Sequence, residues 1–327
     1  MSYQQLRVSD EAPSAVHFLR DGLLLTSMYP SIVQLYTVPE NDSPALLADV
    51  GSPSAILSVA NTHNACVLGH FDGAIRCLDP ENMKVTPLLH SHADGIGFCK
   101  SPVGRTVLAA SFAGEIWHVD PRAPHAAHRV RSTGKISAFD ASGQRLMVAR
   151  GRQIEIFDVR RLEAPLFVRA SGLRYMVNAL RILPDDDGYA LGSLDGRVSI
   201  DVFDELEAAA LRRFAFKCHR AKNVSGMDSV CPVTGLAFHP HDGALLTSGG
   251  DGRVCVWNLK KRKRVRQFPA APGLPVISHM DLSSDGMWLV LGAIQGAVLR
   301  SSDRYTCLHT SGAAYVRNMA ADLAPRL

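Results

Sequence analysis

Apolar and polar residues alternate along this chain in short bursts, and the bursts keep one order. An alternating segment leads into a Gly- or Asp-containing turn and then a nearly continuous apolar segment. A second turn of the Asp-Gly kind follows, then a third segment that closes on an aromatic or aliphatic residue beside Asp or Asn. "PVTGLAFHPHDGALLTSGGDGRVCVWNL", residues 232–259, shows the order most fully. Runs of 4–8 residues with period two, bounded by Gly, Asp and Pro, predict strands, and no longer window sustains a helical period. Further copies start at Ser54, Gly95, Lys135 and Val177. A copy with a longer turn starts at Ala15, and a last one opens at Val276.

The residue before each closing Asp or Asn serves as a ruler. Leu78, Val119, Phe157, Phe203 and Trp257 are spaced by 41, 38, 46 and 54, with Tyr36 and Arg317 marking the first and last copies. Four short strands per period of this size are the signature of a propeller blade. The predicted fold is therefore all-β, a seven-bladed β-propeller formed by residues 1–327 as one ring. The last blade has "AAYVRNM", 313–319, as its third strand. "YQQLRVS", 3–9, alternates and is expected to supply the fourth, which would close the ring and remove two exposed sheet edges. Residues 297–312 then form an insertion loop.

Bulk properties narrow the function. A chain of 327 residues with 46% hydrophobic content can bury a sizeable core, and a net charge of +4 argues against a dedicated, sequence-specific nucleic-acid binder. The seven cysteines are scattered without a CxxC, so they read as reduced, mostly buried residues, with no metal and no cofactor expected. The N-terminus lacks an apolar signal core, and no apolar run approaches the ~20 residues that span a bilayer. The expectation is an intracellular protein without a membrane partner. No Gly-rich phosphate loop, GxSxG or HExxH occurs, so no enzyme is expected.

"RRFAFKCHR", 212–220, is read as the fourth strand of blade five. Turns joining strands two and three lie on the same side of the ring as loops leaving strand four; this side is called the top. The stretch thus delivers His219 and Arg220 to the top beside Arg197 of the preceding turn. Tyr29, Phe112 and Arg253 share that side. Arginine and aromatic side chains suit binding of carboxylates or phosphates flanked by apolar residues.

The grammar of blade six, with His219, Ser248, Asp251 and Trp257 in order, resembles the WD-repeat family. That resemblance implies a structural tetrad in which these four side chains hydrogen-bond and fix the blade. Asp251-Gly252, repeated as Asp72-Gly73 and Asp195-Gly196, suits a primed hairpin turn. Blade three has Ala113-Gly114 instead and is expected to rely on packing. His92 resembles the loop histidine of another blade.

Residues 173–268, with "FKCHR" following a "GRV" strand, look like the mitotic checkpoint family founded by the third budding-uninhibited-by-benzimidazole protein. The mRNA-export WD-repeat factor that binds a nucleoporin is its sister. The resemblance implies a spindle assembly checkpoint scaffold of nucleus and kinetochore, with cytoplasm also open. Its partners would be GLEBS-motif proteins (a checkpoint kinase or pseudokinase) and a kinetochore scaffold carrying phosphothreonine repeats, or, on the alternative reading, a nucleoporin. Carried across, Arg197 and Arg220 form the anion-binding pair. Tyr29 and Phe112 stand where the family has tryptophans. The basic residue that the family can place near Asp242-Gly243 is missing. "KKRKRVR", 260–266, between strands three and four of blade six on the bottom, offers Lys260, Lys261, Arg262, Lys263 and Arg264 as a nuclear localisation signal or nucleic-acid contact, or else as a solvated hairpin turn.

Overall fold

The computed structural model describes residues 3–6, 11–20, 22–29, 31–39, 43–63, 65–90, 94–131, 134–204, 211–222, 226–270, 276–295 and 312–319. The expectations placed on His92, residues 7–9 and residues 297–311 lie outside these.

The chain forms seven four-stranded antiparallel sheets. Blades one to six run in chain order, their first strands being Pro13–Arg20, Ile56–Asn61, Phe98–Lys100, Ala138–Ser142, Val177–Ile182 and Val233–Phe238. Blade seven orders Val276–Leu282, Trp288–Ile294, Gly312–Asn318 and then the chain's own start, Gln4–Gln5. Gln4 lies opposite Val316 and Gln5 opposite Tyr315, and Leu6 N–H donates to the Ala314 carbonyl at 2.9 Å. First strands of neighbouring blades pack on one another around a central channel.

This arrangement explains the pattern of apolar residues. Second strands such as Leu23–Met28, Gly188–Ser193 and Trp288–Ile294 are buried along their whole length, because adjoining sheets cover both faces. Fourth strands are outermost and alternate, as in Phe214–Lys217. Between blades five and six, Ala190, Val198, Ile200 and Cys218 pack against Leu236, Leu245 and Trp257.

Three local expectations need correction. The stretch 212–220 is not one strand. Phe214–Lys217 forms the edge of blade five, and Arg220–Lys222 begins a separate hairpin with Asp228–Val230. The Asp-Gly turns are not primed, because positive φ falls on glycine alone (Gly73 +79°, Gly196 +63°, Gly252 +72°). In each, the glycine N–H bonds three residues back, the form in which a tight turn ends on a left-handed glycine. Blade three does not rely on packing alone, since Gly114 N–H donates to the Ser111 carbonyl and Ser111 N–H to the Glu115 carbonyl.

Candidate peptide-binding face

One hydrogen bond recurs on the top. Tyr29, Phe71, Phe112, Leu194 and Gly250 each donate a backbone N–H to the segment entering their blade's first strand, at Ala12, Ala55, Gly95, Met176 and Pro232 respectively. These five positions are therefore equivalent, and four of them carry a large side chain around the channel mouth. Phe71 is 46% exposed and Leu194 40%, and Tyr175, next in sequence to the Met176 that accepts the Leu194 N–H, is 57% exposed. Phe112 is half-buried; its ring lies edge-on to Phe98 at 5.5 Å and over Gly97, where a Cβ would meet it at 2.3 Å. Phe71 and Leu194 escaped the sequence reading, although both sit directly before Asp-Gly as Phe112 sits before Ala-Gly.

The two arginines meet at one carboxylate. Arg197 Nε and an Arg220 terminal nitrogen each donate to Asp195 Oδ2 at 3.0 Å, and Arg220 also donates to the Asp195 carbonyl at 2.6 Å. Ser193 Oγ donates to Asp195 Oδ1. Glycine is required at 196: its φ is positive, and a Cβ would come within 3.0 Å of the carbonyl oxygens of Cys218, His219 and Cys231. That close approach sets the turn against residues 218–220 and brings Arg197 next to Arg220. Both guanidiniums therefore sit together at the rim, at 34% and 17% side-chain exposure. Arg253 stands on the next turn, half-exposed, and its guanidinium makes no hydrogen bond or ion pair among the described residues.

Beneath Arg220 the chain is pinned from inside. His219 has a φ of +39°, which bends the backbone so that Cys218 and His219 are both buried rather than alternating. The imidazole Nδ1 lies 2.8 Å from Asp251 Oδ1 and Nε2 lies 2.9 Å from Thr247 Oγ1; Trp257 Nε1 donates to the same hydroxyl at 3.2 Å. One assignment satisfies every group: the indole donates to Thr247, Thr247 donates to Nε2, and Nδ1–H donates to Asp251. Burial pushes the Asp251 carboxyl up, but the His219 hydrogen bond and charge outweigh it and hold the group below its ordinary value. Ser248 does not belong to this chain of bonds. It follows Thr247 in a strand and so points to the opposite face, where its hydroxyl lies 3.1 Å from Thr234 Oγ1.

Two further sequence features lie on the opposite side of the ring from the arginines. The Asp242-Gly243 turn joins strands one and two of its blade and lies on the bottom, away from the arginines. The basic run is also on the bottom and is not a free extended peptide. Arg262 stacks on Phe214 and donates to the Leu211 carbonyl, and Lys263–Phe268 is the hydrogen-bonded fourth strand of blade six. The six described cysteines are free thiols; burial pushes Cys218 up strongly and Cys99 up to about 12. Among the described residues no His, Cys, Asp and Glu side chains group to hold a metal.

Fold and tetrad together define a WD-repeat β-propeller, and residues 215–258 match the family model described as "WD domain, G-beta repeat". Relatives narrow the family. The chain is 33% identical to the mitotic checkpoint protein BUB3.1 of Arabidopsis thaliana over 72% of its own length, a match that spans 64% of that relative. It is 28% identical to the mitotic checkpoint protein bub-3 of Caenorhabditis elegans, covering 85% of this chain and 83% of that one. Among solved structures, U3-55K superposes with a TM-score of 0.76 at 14% identity, covering 96% of this chain and 98% of the other, a likeness of fold. The chain is thus similar to BUB3 checkpoint proteins over most of its length.

Proposed function

We propose that this protein is a non-catalytic scaffold of the spindle assembly checkpoint that binds acidic peptide segments on its top face. The observation that carries this reading is the convergence of Arg197 and Arg220 on Asp195 beside a ring of exposed apolar side chains. Paired guanidiniums with part of their surface exposed suit bidentate bonds to a carboxylate or phosphate. An incoming acidic segment adds anions to the pair while its apolar residues cover Phe71, Leu194 and Tyr175. GLEBS-type motifs of checkpoint kinases have this chemistry. Phosphothreonine repeats of a kinetochore scaffold would meet Arg197, Arg220 and Arg253, with no help from the Asp242 turn on the far side. The names of the relatives favour the checkpoint over mRNA export, and with it work in the nucleus and at kinetochores.

The test is calorimetric titration with a GLEBS-type peptide. Charge-assisted hydrogen bonds contribute roughly 1.5–3 kcal/mol each, so Arg197→Glu or Arg220→Glu should weaken binding at least about tenfold. The melting temperature of Arg197→Glu should stay near the parent's, since that side chain is 34% exposed, whereas Arg220→Glu sets a second carboxylate against Asp195 and should lower it. Parent-like binding by both variants would remove the top face from the account.

A further inference from the structure

The bottom face holds a second concave site that the reading above does not use. A cavity of about 620 Å³ opens between blades five and six, within the size range of ligand pockets. Its floor is apolar, formed by Ile200, Val202, Phe214, Phe238 and Leu259. Leu211, 79% exposed, stands at its lip. Arg262 builds one wall. With a φ of +51° it turns back across the blade boundary, stacks 4.6 Å over the Phe214 ring and donates to the Leu211 carbonyl at 2.7 Å.

The charges at the mouth are unequal. Asp187 and Asp185 lie 3.3 and 3.9 Å from Arg212 and offset it, and Asp242 Oδ1 lies 2.8 Å from His239 Nδ1 while accepting the Ala244 N–H. Lys260 lines the same cavity, is exposed, and makes no hydrogen bond or ion pair among the described residues. Lys263, also exposed, follows it at the start of the outer strand. An apolar floor beside Lys260 and Lys263, which have no carboxylate partner among the described residues, selects an occupant with a bulky apolar side chain flanked by acids.

We infer that this bottom cleft docks a short acidic protein segment through one buried aromatic or aliphatic side chain, independently of the top face. The basic run 260–266 then acts as the rim of a binding site.

The experiment is fluorescence anisotropy of the full chain with a labelled Asp-Glu-Phe-Asp-Glu peptide. Two further peptides serve as controls: Asp-Glu-Ala-Asp-Glu, and Ala-Ser-Phe-Ser-Ala. The aromatic acidic peptide should bind, and replacing its Phe by Ala should weaken binding about tenfold, as expected for losing a buried aromatic side chain. Lys260→Glu combined with Lys263→Glu should weaken it at least about threefold, while Arg197→Glu leaves it unchanged. The same double lysine variant should bind a GLEBS-type peptide like the parent, so this proposal and the top-face reading fail separately. No binding, equal binding of the Ala peptide, or loss on Arg197→Glu alone would overturn the site. So would a ten-nucleotide oligouridylate binding where the acidic peptide does not, since the rim would then be a nucleic-acid surface.

Discussion

Arginine meets aspartate in two places in this ring, with opposite consequences. In the channel, Arg181 of blade five donates to Asp140 of blade four at 2.9 Å and, through Nε, to the Leu236 carbonyl of blade six at 3.0 Å. Asp140 also accepts the Ile182 N–H and lies 3.5 Å from Lys100 of blade three. Farther round, Asp281 of blade seven takes the Phe18 N–H and lies 2.7 Å from His17 of blade one, and Asn61 of blade two donates to the Phe18 carbonyl. These bonds staple blade to blade around carboxylates that are largely buried, at 6% and 13% side-chain exposure. On the top, Arg197 and Arg220 share one carboxylate at 34% and 17% side-chain exposure. The same residue types tie one blade to the next in the channel and, on the top, tie a turn to the loop that follows it.

The contrast breaks most directly by truncating one partner at each place. Removing half of a buried, hydrogen-bonded pair costs about 3–5 kcal/mol, because the other charge stays behind unpaired. Asp140→Ala should therefore cost that much in urea unfolding, stranding Arg181 and Lys100 between inner strands. Arg197→Ala should stay within about 0.5 kcal/mol of the parent. Equal unfolding midpoints for the two variants would mean that the channel pairs do not hold the blades together.

Acid sharpens the comparison. Burial, and then the charge of Arg76, lower His70 in blade two to about 4. Its folded value lies below its ordinary one of 6.5. Its contribution is thus present above pH 6.5 and lost as the pH falls from there towards 4. At 1.36 kcal/mol per unit the loss reaches about 3 kcal/mol at most. Asp281 in the channel follows at lower pH. Burial raises it, but the His17 charge and hydrogen bond outweigh burial and hold it below its ordinary value, so its contribution disappears only below that value. Urea midpoints at pH 7, 5.5 and 4.5 should fall steadily, and His70→Gln should flatten that slope. A parent whose midpoint does not change over this range would remove His70 from the account.

What could be read from the sequence divides along the same line. The seven blades were legible because each repeats a local pattern: period-two strands, a Gly-bearing turn, a closing aromatic. Arg197 and Arg220 could be placed near one another because blade geometry alone relates a turn to the next outgoing loop. Asp195 as their shared acceptor could not, since that depends on the approach of Gly196 to three carbonyls. The channel staples were invisible for a stronger reason. His17, Asn61, Lys100, Asp140, Arg181 and Asp281 come from six blades, and no local signal links them. The hairpin at 220–230 was missed because its two short strands fall where a loop was expected.

The smallest expected effect concerns Thr247 and Ser248, adjacent hydroxyls of which the sequence reading chose the wrong one for the tetrad. Two residues in succession on a strand face opposite ways, so one residue of offset decides which hydroxyl meets His219. Thr247→Val keeps the shape but leaves the Trp257 indole N–H without its acceptor and His219 Nε2 without its donor. Both side chains are buried, at 9% and 4% exposure. Orphaned buried groups cost about 1–3 kcal/mol, which should appear as a lower urea midpoint and freer Trp257 fluorescence. Ser248→Ala removes only the contact with Thr234, whose hydroxyl lines the channel cavity and can turn towards it. That change should cost about 0.5 kcal/mol. If Ser248→Ala proved the more damaging of the two, the bond chain from Trp257 through Thr247 to His219 and Asp251 would not be what fixes blade six, and the support beneath Arg220 would have to be sought on the face that packs against blade seven.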